Sequence, residues 1–128
     1  MNSKILSIAL LFVLIASAFC EVVQLNEANF DEEIAKCDVA VVTFYAPWCG
    51  HCKKWHEPFE ELALRLQTIG VCAFTVDATE NRDLSGLFEI RSVPTILAFT
   101  GQSSDPVKYT GQRTVDDVYK WAMSIGSE

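Results

Sequence analysis

The stretch Val39-Ala40-Val41-Val42-Thr43-Phe44-Tyr45 carries no charge, is rich in β-branched side chains, and stops at Ala46-Pro47. A strand without polar alternation is covered on both faces, which places it in the middle of a sheet flanked by helices. Directly after it comes Trp48-Cys49-Gly50-His51-Cys52. Trp55, Phe59, Leu62, Ala63 and Leu66 then recur at helical spacing, with Glu57, Glu60, Glu61 and Arg65 on the opposite side. A buried strand therefore runs through a tight turn into a long helix, and two thiols lie in the helix's first turn.

The rest of the chain alternates in the same way. Glu21 to Leu25 reads as a short strand. Asn26 is a suitable N-cap for a helix from Glu27 to Lys36, with Asn29 as a competing start, and Phe30, Ile34 and Cys37 share one face. Pro58 falls inside the long helix and predicts a kink, while Gly70 closes it. Val71 to Val76 is a further buried strand, followed by a helix of about Asn81 to Phe88. Thr95 to Thr100 is apolar again, Gly101 to Asp105 reads as a turn, and Val107 to Thr110 suits a sheet edge. The last helix, about Thr114 to Ile125, offers Val115, Val118, Trp121 and Ile125 to the core. This order predicts one α/β domain with a mixed five-stranded sheet between helices.

Residues 1–20 read differently. Lys4 is followed by an uncharged apolar run, and Ala16-Ser17-Ala18 or Ala18-Phe19-Cys20 offers a small-x-small cleavage pattern after Ala18 or Cys20. The run is shorter than the roughly 18 to 20 residues that span a bilayer, so a secretory leader is expected and a stable membrane anchor is not. Residues 21–128 form the expected mature domain. A formal net charge of −7 argues against nucleic acid or acidic membranes as partners. The C-terminal Ser124-Ile125-Gly126-Ser127-Glu128 lacks a K-D-E-L-type signal, so the endoplasmic reticulum lumen is expected, with secretion as the other outcome.

The first thiol, at a helix N-terminus, lies near unsatisfied N–H groups and the positive end of the helix dipole. Both favour a thiolate, the reactive species in thiol–disulfide exchange. A structural zinc site would need two further ligands at matching spacing, and Cys37 and Cys72 are isolated. His56 reads as a solvated helix residue beside Glu60.

The string Phe44-Tyr45-Ala46-Pro47-Trp48-Cys49-Gly50-His51-Cys52-Lys53 resembles the active-site segment of the catalytic domains of protein disulfide isomerases. Val76-Asp77-Ala78-Thr79, Val93-Pro94-Thr95 and Tyr109-Thr110-Gly111-x-Arg113 follow in that family's order, so the resemblance spans roughly Val22 to Ile125. It implies the thioredoxin fold, a mixed five-stranded sheet flanked by four helices, with Pro94 cis and facing the cysteine pair. By the same resemblance Cys49 would be the attacking thiolate and Cys52 the resolving thiol of a redox-active disulfide. Gly50 and His51 between them, and Arg113, would tune the thiols. Trp48, Val93 and Pro94 would meet an extended substrate. The implied activity is that of a thiol–disulfide oxidoreductase and disulfide isomerase. Its partners would be unfolded or misfolded clients with thiols or disulfides, and glutathione or an oxidase or reductase. No metal or organic cofactor is called for. A dedicated reductase and a covalent client-retention module are the alternatives.

Two departures stand out. The family's buried Glu, six residues before the first cysteine, is Thr43 here, and the Lys that accompanies it is Thr75. Losing both is coherent, because one alone would strand a buried charge at roughly 3–5 kcal/mol. Cys52 is thus expected to lack its usual base and to release mixed disulfides slowly. Pro58 also stands one position later than the family's helix proline. In this fold Cys37 and Cys72 begin neighbouring strands and either pair or remain two unpaired thiols.

Overall fold

The computed structural model describes residues 22–101 and 103–127. The expected leader, with Cys20 and both cleavage patterns, lies outside the described residues. In chain order the elements are β1 (Val23–Leu25), α1 (Phe30–Ala35), β2 (Val39–Tyr45), α2 (Gly50–Gln67), β3 (Cys72–Asp77), α3 (Arg82–Leu87), β4 (Thr95–Thr100), β5 (Ser103–Lys108) and α4 (Val115–Gly126). They form a five-stranded sheet in the order β1-β3-β2-β4-β5. Strand β2 runs parallel to β3 and antiparallel to β4, so it sits at the centre, as its uninterrupted apolar run requires.

Successive β2 residues point to opposite faces. Ala40, Val42 and Phe44 meet Phe30 of α1 and Leu84 of α3, with Phe88 packed beside them. Val39 and Val41 meet Trp55, Phe59, Leu62 and Leu66 of α2 and Val118 and Ala122 of α4. Thr43 shares that second face and is 3% exposed. The site thus begins where β2 leaves the sheet and α2 starts, with both elements anchored by their own cores. Helix α2 stays continuous through Pro58. At its end Gly70 takes φ +74°, the left-handed region that favours glycine, and the Val71 N–H donates to the Leu66 carbonyl.

Two choices left open are decided and two expectations change. Helix α1 starts at Phe30 with Asn29 at its N-cap, the later of the two expected starts, because Asn26 and Asn29 accept hydrogen bonds from each other's backbone N–H groups and hold a turn there. Strand β5 begins at Ser103 rather than Val107, with Thr100 paired to Ser103 and Leu97 to Lys108. Trp121, like Val115 and Ile125, packs half-buried against the core, next to Tyr109, and Ala122 is the fully buried neighbour. Cys37 and Cys72, left open by the sequence, form a disulfide with Cα atoms 6.2 Å apart, tying the end of the α1 segment to the start of β3.

Candidate active site

Ala46 to Cys49 make the turn that closes β2 and opens α2, with the Cys49 N–H donating to the Ala46 carbonyl at 3.2 Å. Cys49 occupies the N-cap with extended backbone angles, and its sulfur accepts from the Cys52 N–H at 3.4 Å. Sulfur thereby takes the place of the Ser or Asp oxygen that usually satisfies a helix's first N–H groups. Hydrogen bonding from Cys52, and from the His51 backbone, holds the Cys49 thiol below its ordinary value. Cys52, one turn further in, is pushed up to about 11 by burial and by its neighbour Cys49. Two identical groups are made unequal, one ready to ionise and one kept protonated.

Both cysteines are free thiols and pack with Ala46, Tyr45 and Val93. The Cys49 thiol also reaches the Val93 carbonyl at 3.6 Å, and the Val93–Pro94 bond is cis. The β4 approach therefore faces the cysteine pair. Trp48 stands 74% exposed beside them. Arg113 is exposed, and its charge draws both thiols down, as the smallest of the effects on each. Gly111 positions its loop: a Cβ there would lie 2.6 Å from the Tyr109 hydroxyl, which bonds the Gln112 carbonyl. A side chain at this position would push the Tyr109 hydroxyl off that bond. Gly50 has open space around it, so no packing contact links it to the sulfur. His51 acts through its backbone, and its exposed side chain makes no hydrogen bond to Cys49.

The thioredoxin family model matches residues 21–124. The chain belongs to the thioredoxin family. It is 40% identical to protein disulfide-isomerase 1 of Caenorhabditis elegans over 91% of its own length but 25% of that protein's, so it spans about a quarter of that relative. The first thioredoxin domain of mouse protein disulfide-isomerase A4 superposes with a TM-score of 0.74 at 31% identity, over 80% of this chain and 74% of that one. Human ERp44 in a zinc-bound form gives 0.76 at 27% identity, over 83% of this chain and 31% of that one. The fold is the thioredoxin fold, with the mixed five-stranded sheet and four helices expected.

Within this thioredoxin-family domain the Thr43 departure has a defined structural outcome. Thr43 and Thr75 are direct partners across β2 and β3. Thr43 Oγ1 accepts from the Trp55 indole N–H at 3.2 Å, so the buried position is satisfied without a charge. Both threonines line a groove beside Cys52, together with Trp55, His56 and Glu60. The Trp55–Thr43 bond escaped the sequence reading, though Trp at a core position calls for a partner for its N–H. Among the described residues no cluster of three metal-ligating side chains occurs, and no helix is long and apolar enough to cross a membrane.

Proposed function

We propose that this domain is a thiol–disulfide oxidoreductase of the secretory pathway that forms and rearranges disulfides in client proteins. The observation that carries the reading is the inequality of the thiols: Cys49 lowered at the N-cap of α2, Cys52 pushed up to about 11 one turn deeper. In oxidation, a client thiolate attacks Cys49 of the Cys49–Cys52 disulfide, and Cys52 leaves and takes up a proton. A second client thiolate then attacks the client sulfur of the mixed disulfide and expels the Cys49 thiolate. In isomerisation, reduced Cys49 attacks a wrong client disulfide and later leaves by the same chemistry. The exposed Trp48 and the backbone at Val93 and Pro94 form the rim against which an extended client lies. Arg113 and the His51 backbone favour the Cys49 thiolate, and glutathione or an oxidase or reductase partner resets the pair. Residues 1–20 deliver residues 21–128 to the endoplasmic reticulum lumen, with secretion as the other destination.

The test is the midpoint potential of Cys49–Cys52 in graded glutathione buffers. A value near about −180 mV is expected, alongside protein disulfide isomerase. One nearer about −270 mV would make the domain a dedicated reductant instead. A second reading, covalent retention of clients, is favoured by one observation: Thr43 and Thr75 leave no buried carboxylate beside a thiol held near 11. Mixed disulfides that persist on the wild-type protein without acid quenching would support it.

A further inference from the structure

Resolution of a mixed disulfide at Cys49 requires Cys52 to give up a proton, and neither Thr43 nor Thr75 can take it. The groove beside Cys52 opens between β2 and α2, and besides the thiol its titratable groups are Tyr45 from β2 and Lys53, His56 and Glu60 from α2. Tyr45 is raised by burial and by Asp77, and its hydroxyl is engaged by the Gln24 amide at 2.7 Å. Lys53 is a cation without acceptor capacity. His56 remains. It stands one turn beyond Cys52 at i, i+4, a spacing that puts two side chains on the same helix face with Cβ atoms about 5–6 Å apart. Its Nε2 lies 3.0 Å from Glu60 Oε1, and an imidazole keeps one ring nitrogen as an acceptor whenever it is uncharged.

We propose that His56 is the proton acceptor for Cys52, acting through water in this groove, and that Glu60 positions its ring. The inference rests on the exchange reading above and assigns the proton route of that same site. Cys52 passes its proton to the unprotonated ring nitrogen of His56, and the thiolate attacks Cys49 Sγ. The Cys49–Cys52 bond forms as the bond from Cys49 to the client breaks, and the electron pair leaves on the client sulfur. That sulfur takes its proton from the imidazolium or from solvent. The client disulfide is reduced to thiols and the cysteine pair is oxidised, so electrons and protons balance.

The two steps separate with glutathione disulfide as the probe. Formation of the Cys49–glutathione adduct is timed in C52S and C52S/H56A; its decay is timed in protein retaining Cys52, with acid quenching and mass analysis. H56A is expected to slow decay about tenfold or more, a modest share of the roughly 10²-fold and greater effects of general bases. In the wild type, decay should rise with pH on a limb well below 11, and this limb should vanish in H56A and return with added imidazole. E60Q should slow decay less than H56A. An H56A protein that resolves the adduct at the wild-type rate and pH profile would overturn the inference alone. Equal slowing of both steps would also overturn it, since that marks a structural effect. Failure of the wild type to form any adduct would overturn the exchange reading, and the inference with it.

Discussion

Cys49 and Cys52 differ only in what surrounds them, and that difference can be measured. Alkylation consumes the thiolate, so its rate follows ionisation. Cys49 ionises below the ordinary thiol value of 9.0, so its labelling should already be rising under mildly alkaline conditions. Cys52 stays protonated until about 11, so its labelling should lag until strongly alkaline pH. Peptide-resolved labelling across that range checks the order; simultaneous labelling would show the environments to be equivalent. A second test lies at Thr43. Because Thr43 and Thr75 are direct partners, Thr43→Glu with Thr75→Lys places a charge pair across β2 and β3 beside Cys52. Client turnover should rise about tenfold or more with a buried carboxylate added beside the route through His56, and no gain would count against slow release at Thr43. The cysteines were legible in the sequence because their spacing is local, and the absent carboxylate only through the resemblance to protein disulfide isomerases. The Trp55–Thr43 bond and the groove shared by Cys52 and His56 were not, since they arise only once β2 packs on α2.

Among the elements, those with strong periodicity stood out before the structure did. Strands β2 and β4 begin and end where their apolar runs do, and α2 carries its core residues at the expected spacing. Strand β5 did not, because Ser103, Ser104, Asp105 and Pro106 have little strand preference. Pairing with β4 extends the strand over them, and an edge tolerates a proline that cannot donate. The pairing of Cys37 with Cys72 was undecidable for a related reason: it depends on how closely the end of the α1 segment approaches β3. That disulfide closes a loop of 35 residues containing β2, the active-site turn and α2. Constraining an unfolded chain in this way is worth about 2–4 kcal/mol. The Cys37→Ala/Cys72→Ala protein should therefore lose about that much stability in denaturant unfolding and melt about 10 °C lower or more. An unchanged midpoint would mean that strain or residual unfolded structure offsets the loop entropy.

Across the whole molecule, the two cysteine pairs lie at opposite ends of the central strand. Cys37 precedes β2 and Cys49 follows it, and its seven residues span roughly 20 Å at about 3.3 Å per residue. Sites so far apart, sharing no partner, usually act additively within about 0.5 kcal/mol. For a two-electron couple that is about 10 mV. The Cys37→Ala/Cys72→Ala protein, though less stable, should keep the midpoint potential of Cys49–Cys52 within about that margin under conditions where it remains folded. The local causes found for the thiols point the same way: the Cys52 N–H, the His51 backbone, burial and Arg113 all belong to the active-site end. A displacement of about 30 mV or more would mean that the distant disulfide reaches the active site through β2. The exchange potential would then be a property of the whole sheet rather than of the turn that opens α2.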